Sequence, residues 1–179
     1  MVDPAGAARP RVVPAPGPRL IDVPATRFGE CLEVLHAGFG TEIADYGITA
    51  VNTPTNPAFW DDTVIPALIA RGFQFFALEE AGHIVGCAFV GASRGHPGAW
   101  VLRHLAVHPG ARHHGFGEVL VTEASRRALI GGARALRIGI VAENSRLGSW
   151  YVRLGFVPTE TGISYPGLPF TVDHLELAL

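Results

Sequence analysis

The segment from Arg112 to Gly117 places an arginine ahead of two glycines in a spacing that suits an anion-binding turn. It follows an apolar run and opens the helical pattern that extends from Phe116 to Ile130. Glycine lets the chain turn sharply and leaves successive backbone N–H groups uncovered. The positive end of the helix dipole and the Arg112 guanidinium add attraction for negative charge. The sequence therefore predicts a cradle for a pyrophosphate group, with a glycine-rich turn that binds nothing as the alternative.

The spacing of the motif and the charge of the chain disfavour three other classes of binding protein. The spacing differs from the G-x-G-x-x-G fingerprint of dinucleotide-binding folds, and a Walker loop requires a lysine, which this chain lacks. All 14 basic residues are arginine, and with 16 acidic residues the formal net charge is −2. Dedicated nucleic-acid binders usually have a strongly basic balance, so we expect no nucleic-acid partner.

The elements that must position this turn follow from the apolar periodicity. The length of 179 residues, 48% of them apolar, suits one globular domain, predicted at 19–179 after a proline-rich tail at 1–18. Strands are predicted at 19–23, 73–78, 83–90, 99–107, 136–142, 156–165 and 171–177. Helices are predicted at 25–46, 57–70 (kinked near Pro66), 116–130 and 145–154. The expected fold class is a mixed α/β (α+β) sheet with flanking helices, whose strands between 73 and 107 form an antiparallel meander.

A second string of residues adds to the first motif. Residues 144–156, N-S-R-L-G-S-W-Y-V-R-L-G-F, begin 27 residues beyond Gly117, at the start of the last predicted helix. Together with Leu105-x-Val107-x-Pro109 and the Arg-x-x-Gly-x-Gly turn, this string resembles the GNAT superfamily of acyl-CoA-dependent N-acetyltransferases. The similarity is close over residues 99–157, and the order of the elements extends it to 19–179.

The resemblance implies acetyl-CoA as cosubstrate and a GNAT-like fold in which the strands at 99–107 and 136–142 splay apart around it. The backbone of residues 105–107 would pair with the pantetheine arm, and the Val107 N–H would hold the thioester carbonyl. The turn would bind the pyrophosphate, Asn144 would contact the pantetheine arm, and Tyr151 would lie near the sulfur. The cofactor-binding residues implied in this way are Leu105, Ala106, Val107, Arg112, His113, His114, Gly115, Phe116, Gly117, Asn144 and Tyr151.

Two residues are candidates for proton transfer. A tyrosine with a pKa of about 10 can protonate a thiolate whose conjugate acid has a pKa of about 8.5, so Tyr151 is a candidate general acid. The alternative for Tyr151 is a core aromatic residue beside Trp150. Many members of the superfamily carry an acidic residue two positions before Leu105, where this chain has Arg103. The candidate base is therefore His104, since histidine titrates near neutral pH, or ordered water, and a structural role for His104 is the alternative.

The acceptor side is expected to be formed by the two helices near the N-terminus. Glu42, Asp45, Tyr46 and the loop at 52–62 would attract a cationic amine, although a solvated acidic helix face explains the same residues. The expected activity is transfer of an acetyl group to a primary amine, of a small molecule or a peptide. Direct transfer in a ternary complex is expected because neither cysteine lies in the motifs. A non-catalytic acyl-CoA-binding sensor or interaction module is the alternative function.

Metal binding and a disulfide are both disfavoured by the sequence. No cysteine or carboxylate lies close in sequence to the histidines of this region, so we expect no metal site. These histidines are His104, His108, His113 and His114. Cys31 and Cys87 lie in apolar surroundings and are expected to be buried free thiols, with a disulfide as the alternative.

The sequence also allows predictions about the cellular location and the oligomeric state of the protein. The residues before Arg19 lack a basic stretch followed by an apolar core, so no secretory signal is expected. The longest apolar run, Ile84–Ala92, is too short to cross a bilayer. We therefore expect a cytoplasmic protein without a membrane partner. A homodimer is conceivable if the C-terminal strand pairs at the edge of a sheet with a second copy.

Overall fold

The computed structural model describes residues 17–179, so the tail predicted at 1–18 falls almost entirely outside the described residues. Within them, a seven-stranded sheet forms the frame, in the spatial order β1-β2-β3-β4-β5-β7-β6. The strands are β1 (Arg19–Asp22), β2 (Gln74–Glu80), β3 (His83–Ala92), β4 (Ala99–Val107), β5 (Ala135–Val141), β6 (Val157–Ser164) and β7 (Thr171–Ala178). The α-helices of this part are α1 (Phe28–Gly40), α2 (Val64–Ala70), α3 (Phe116–Ile130) and α4 (Ser145–Arg153).

The sheet is mixed. Neighbouring strands are antiparallel except for β4 and β5, which run parallel. This arrangement confirms the predicted fold class, and β2, β3 and β4 form the predicted meander. The expectation that the C-terminal strand offers a free edge for a second copy is wrong. β7 lies between β5 and β6 and is hydrogen-bonded to both, so its backbone has no open side.

The two faces of the sheet bury separate apolar clusters. In β2, Phe76 packs into the cluster that contains α3, whereas the next residue along, Phe75, packs into the cluster that contains α1 and α2. This alternation follows from the two-residue period of a strand. Cys31 and Cys87 lie in the second cluster as free thiols, with the Cys87 Sγ 3.9 Å from the Cys31 carbonyl oxygen. The predicted buried free thiols are therefore confirmed.

The helix predicted at 25–46 is shorter than expected. A 3₁₀ turn at Ala25–Arg27 leads into α1, which ends at Gly40. Glycine has a low helix propensity, and two glycines lie in the last turn of α1. At this end the Thr41 hydroxyl donates a hydrogen bond to the Gly38 carbonyl at 2.9 Å. The chain then continues in turns through residue 47, and these turns bring Glu42 to the site described below.

The helix predicted at 57–70 is divided in two. A 3₁₀ turn at Pro57–Phe59 is capped by the Asn56 side chain, and Trp60 then has extended backbone angles. Only the second part, α2, is an α-helix. Pro66 does not kink it, because the residue lies in the first turn, where a missing N–H removes no helical hydrogen bond. Among residues 17–179 no helix combines the length and the apolar character needed to cross a membrane.

We expect the Gly131→Ala variant to be destabilised by about 1–3 kcal/mol, because overpacking at this position forces a large side chain to move. Gly131 directly follows α3 with φ −75°, so an alanine there causes no backbone strain. However, its Cβ would lie 2.1 Å from the Trp100 Cζ2 of β4. Urea denaturation measures the free energy of unfolding.

The matched control is Gly29→Ala in α1, where a Cβ meets nothing within 4 Å. In a helix this replacement is expected to stabilise by roughly 0.5–1 kcal/mol. Equal stability of the two variants would contradict the tight packing of Gly131 on Trp100.

Candidate functional site

A cleft of about 1710 Å³ opens where β4 and β5 separate. The two strands pair only over three residues each, Ala99–Val101 with Ala135–Arg137. Beyond Val101, the edge of β4 that faces β5 has no strand partner among the described residues. Backbone N–H and C=O groups at such an edge are free to pair with an extended ligand. The cleft thus has an open β-strand edge along one wall.

A β-bulge in β4 sets which side chains face each side of the cleft. The pairing with β3 changes from Cys87↔Ala106 to Phe89↔Arg103, so β4 contains one extra residue. His104 takes the left-handed conformation there, with φ 52°. Arg103 and His104, although adjacent, consequently both lie on the α1/α2 face of the sheet, where His104 contacts Phe89.

The predicted turn presents a row of uncovered backbone amides. The N–H groups of residues 113–117 donate no hydrogen bond to any other residue between 17 and 179. His113 (φ 69°) and Gly115 (φ 80°) are both left-handed, which turns the chain sharply into α3. Residues 113–115 are exposed, and the Phe116 side chain is buried against the core. Uncovered amides at the N-terminus of a 15-residue helix suit a diphosphate.

The Arg112 side chain donates hydrogen bonds to three oxygens of the protein. Its Nη2 donates to the Gly38 carbonyl at 2.9 Å and to the Thr41 hydroxyl at 3.3 Å, and its Nε donates to the Val107 carbonyl at 3.4 Å. Arg112 therefore links the ends of α1 and β4 to the turn. The contribution of its guanidinium to the anion cradle stays a prediction, and these contacts are an additional, structural role.

Asn144 connects α4 to the end of α1. Its Oδ1 accepts a hydrogen bond from the Leu147 amide in the first turn of α4, at 3.0 Å, and its Nδ2 donates to the Glu42 carboxylate at 2.9 Å. The pKa of Glu42 is raised, because the effect of burial exceeds the opposite effects of Arg112 and the Asn144 amide. Both Asn144 and Glu42 line the cleft. The N-cap role of Asn144 is an addition to the pantetheine contact that the resemblance implies.

Tyr151 lines the cleft from α4 and is also a core residue. Its ring contacts Trp150 (centroids 4.7 Å apart) and Phe156 (5.2 Å). Burial raises the pKa of the Tyr151 phenol, and the Glu42 carboxylate raises it further. The phenol is therefore protonated at neutral pH. The two roles that the sequence left open for Tyr151, core aromatic and proton donor, are compatible in this position.

His104 lies in an aromatic pocket on the acceptor side of β4. Its ring centroid is 4.5 Å from that of Trp60 and 6.3 Å from that of Phe39. Burial, with a contribution from Arg103, lowers the pKa of His104 to about 3. An imidazole with this pKa stays neutral at pH 7 and binds a proton weakly, so the geometry disfavours the role of general base predicted for it.

The residues predicted to form the acceptor side divide between the cleft and a neighbouring pocket. The part of the 52–62 loop that lines the cleft, residues 53–57 and Trp60, is uncharged, and the Asp61 carboxylate accepts hydrogen bonds from Thr63. Glu42, Asp45 and Tyr46 together line a smaller pocket of about 370 Å³ beside Arg112. Glu42 also lines the main cleft, so the role of these residues in attracting a cationic amine stays a prediction.

Two cleft residues are missed by the sequence patterns. Trp60 covers His104, and Arg71 lies at the end of α2 on the same side of the sheet as Arg103. Neither belongs to a motif, and only the packing of α1 and α2 on β4 brings them to the cleft.

The histidines of the predicted motifs do not gather at one point. His108, for example, accepts a hydrogen bond from the Gly110 amide. Residues 17–179 contain no cluster of three or more His, Cys, Asp or Glu that could hold a metal ion.

Comparisons with known proteins agree with the sequence motifs. The family model for the acetyltransferase (GNAT) domain matches residues 71–158, which include β4, the amide turn and the whole of α4. The match therefore covers the open strand edge and the whole turn. No curated protein sequence matches the chain significantly.

Solved structures share the fold at low sequence identity. The PaiA N-acetyltransferase from Thermoplasma acidophilum, solved with coenzyme A, has a TM-score of 0.76 at 14% identity, covering 91% of this chain and 99% of its own. A ribosomal-protein-alanine N-acetyltransferase from Brucella melitensis has a TM-score of 0.68 at 19% identity, covering 90% and 99%. The putative acetyltransferase yncA from Salmonella typhimurium, solved with acetyl-CoA, has a TM-score of 0.67 at 17% identity, covering 91% and 94%.

The lowered pKa of His104 predicts how stability depends on pH. The unfolded chain binds a proton at this residue near pH 6.5, but the folded chain does so only near pH 3. Protonation therefore favours the unfolded state as the pH falls below about 6.5. We expect His104 alone to lower the free energy of unfolding by up to about 1.4 kcal/mol per pH unit in that range.

Urea denaturation between pH 7 and pH 4.5 tests this, with His104→Gln compared with the wild type. The variant should lose stability less steeply as the pH falls. His83→Gln, which removes an exposed histidine from the β2–β3 hairpin, is the control and should keep the slope of the wild type. Parallel curves for wild type and His104→Gln would show that His104 titrates normally in the folded protein.

Proposed function

Since the chain belongs to the GNAT acetyltransferase superfamily, whose cosubstrate is acetyl-CoA, we propose that it transfers the acetyl group to a primary amine in a ternary complex. The amine would belong to a small molecule or a peptide. The observation that carries the proposal is the presence of two sets of free backbone donors along one cleft. The open edge of β4 ends at Val107, and the uncovered amides begin at residue 113, after the short 3₁₀ turn at Pro109–Ala111.

The residues of the cleft fit acetyl-CoA, which supplies an acetyl group activated as a thioester. The backbone of Leu105–Val107 would pair with the pantetheine arm, as a further strand would, and the Val107 N–H would donate to the carbonyl of the acetyl group. Single donors of this kind contribute about 2.7–4 kcal/mol to transition-state stabilisation in known enzymes. The amides of residues 113–117 would donate to the diphosphate. Arg112 would contribute by fixing the turn against α1.

We assign Tyr151 the role of proton donor to the sulfur that leaves as a thiolate. The phenol lines the cleft and stays protonated at neutral pH because burial and the Glu42 charge raise its pKa. Its ring is fixed between Trp150 and Phe156, which restricts the position of the hydroxyl. A positioned acid of this kind typically contributes 10²–10⁴-fold to a rate.

No protein base is assigned to the acceptor amine. The position that carries a carboxylate in many members of the superfamily is Arg103 here, and the pKa of His104 is too low for it to take a proton from an ammonium group. We propose that the amine loses its proton to water before it reaches the acetyl group. The environment of the cysteines supports direct transfer, since Cys31 and Cys87 are fully buried and the Cys31 side chain, together with burial, raises the pKa of the Cys87 thiol.

The second candidate function is a non-catalytic acyl-CoA-binding module. The observation that favours it is the lack, among residues 17–179, of a side chain that could act as general base next to the open strand edge. Arg103 lies there as a cation, and His104 binds a proton only weakly. Binding of acetyl-CoA without thiol release for any amine in a broad panel would support this candidate over an acetyltransferase.

Replacing Tyr151 by phenylalanine tests the proposed acid. We expect kcat to fall by about 10²-fold, because the phenol proton is lost, while the Kd for acetyl-CoA changes by less than about twofold. Thiol release measures kcat, and calorimetry measures the affinity. Trp150→Phe is the control for disturbed aromatic packing, and an equal loss of kcat in both variants would remove Tyr151 from the role of acid.

Replacing Gly115 by valine tests the amide turn. Nothing lies within 4 Å of the new Cβ, but the φ of 80° at this position strains a β-branched residue. We therefore expect the turn, with its amides, to rearrange. We expect at least a tenfold weaker affinity for acetyl-CoA, since each lost charge-assisted hydrogen bond contributes about 1.5–3 kcal/mol. Gly117 is unsuitable for this test, because its Cβ would lie 3.0 Å from Trp150 even without a ligand.

Gly132→Val is the matched control for strain. Gly132 has a φ of 79° and nothing within 4 Å of its Cβ position, but it lies at the other end of α3. Calorimetry should give this control the wild-type affinity for acetyl-CoA. If Gly115→Val also binds normally, the diphosphate is held elsewhere.

A further inference from the structure

The cleft is positively charged in a chain whose net charge is negative. Its lining contains seven arginines and three glutamates, whereas the whole chain has a formal net charge of −2. Some of these groups have protein partners. Arg112 donates to α1, and Arg137 pairs with Glu160 and Glu176. The excess of positive charge therefore lies on residues that form no ion pair.

Arg103 is the unpaired arginine closest to the open strand edge. The bulge in β4 places it beside His104 on the acceptor face of the sheet. Its guanidinium lies 5.7 Å from the centre of the Phe73 ring, a contact that restricts its orientation. Within residues 17–179 no carboxylate lies within ion-pair distance of it. A positioned guanidinium without an anion is suited to bind one bidentately.

Arg71 supplies a second charge on the same side. It follows the last residue of α2, lines the cleft, and likewise forms no ion pair within the described part of the chain. Desolvation lowers the pKa of Arg103, and the positive charge of Arg71 lowers it further because the two guanidinium groups repel each other. An anion held by both would remove this repulsion.

The cleft glutamates do not offset these charges. Glu42 accepts from Asn144 at the end of the cleft near α4, and Glu160 pairs with Arg137. Glu118 lies in the first turn of α3, beside the amide turn. The loop at 53–57 adds no charge. A cationic acceptor such as a polyamine would meet two arginines here, whereas the cleft carboxylate without a side-chain partner among the described residues, Glu118, lies beside the amide turn.

We propose that Arg103 and Arg71 bind an anionic group, a carboxylate or a phosphate, that the acceptor carries near its amine. The acceptor class is therefore a zwitterionic amine, of which α-amino acids and aminoalkyl phosphates are the simplest examples. The inference rests on the proposed acetyl transfer. Arg103 then determines specificity at the position where related enzymes carry a carboxylate.

Matched acceptors test the inference with the full-length chain and acetyl-CoA. L-phenylalanine is compared with phenethylamine, which lacks only the carboxylate, and phosphoethanolamine is compared with ethanolamine. Thiol release should give at least one of the two zwitterionic acceptors a kcat/KM about 10- to 100-fold above that of its partner without the anionic group. The pair with the larger ratio identifies carboxylate or phosphate as the group recognised. Ratios near one for both pairs would overturn the inference.

Variants then assign the effect to the arginine. Arg103→Gln should lower kcat/KM for the zwitterionic acceptor by about 10- to 100-fold, mainly through KM, and leave kcat/KM for its partner without the anionic group and the Kd for acetyl-CoA unchanged. Arg103→Glu should reverse the preference toward amines without the anionic group. Arg134→Gln lies outside the cleft lining and is the control. An unchanged preference in Arg103→Gln would overturn the assignment.

Equilibrium binding separates failure of this inference from failure of the proposed function. Calorimetry in the presence of CoA compares the N-acetyl derivatives of both acceptor pairs in wild type and Arg103→Gln. Selective binding of an anionic derivative that depends on Arg103, without turnover of any amine, would refute acetyl transfer and support the anion site. Turnover of amines that lack the anionic group, without selective binding of either anionic derivative, would support acetyl transfer and refute the anion site.

Discussion

The separation of β4 from β5 is the constraint on which the rest of the site depends. Paired strands satisfy each other's backbone groups, but β4 loses this partner beyond Val101. Between residues 102 and 107, the N–H and C=O groups that point away from β3 then face a cleft that an extended ligand can enter. Unpaired buried groups of this kind are costly unless a ligand or water binds them. The cleft connects the amide turn on one side of the sheet with the aromatic pocket around His104 on the other.

Binding by the main chain also fits the low sequence identity to structures of the same fold. Solved acetyltransferases with 14–19% identity superpose over about nine-tenths of this chain. A backbone amide donates in the same way whatever side chain it carries, so the turn needs only the left-handed angles at His113 and Gly115 and the helix that follows. Side chains near the cleft are free to differ, and the acceptor side is where this chain has its own features.

The arginines of the cleft divide into those that stabilise the fold and those that have no protein partner. Arg112 connects β4, the amide turn and the C-terminal end of α1, whose unsatisfied carbonyls favour a cation. Arg103 and Arg71 have no such carbonyl or carboxylate within the described chain, and the bulge at His104 keeps Arg103 directed to the acceptor side. The same residue type thus has a structural role on one side of β4 and an electrostatic one on the other.

The amino-acid sequence by itself determined the local parts of the site. The order of strands and helices, the turn at 112–117, the start of α3 and the N-cap at Asn144 all depend on residues within a few positions of one another. The contacts that decide side-chain roles join distant segments: Arg112 with Gly38 across 74 positions, and Asn144 with Glu42 across 102. Only the tertiary structure settled that Arg112 faces α1, that a bulge turns His104 into an aromatic pocket, and that Arg71 lies near Arg103. Periodicity reports which face of its own element a residue occupies, whereas these outcomes depend on which other element packs against that face.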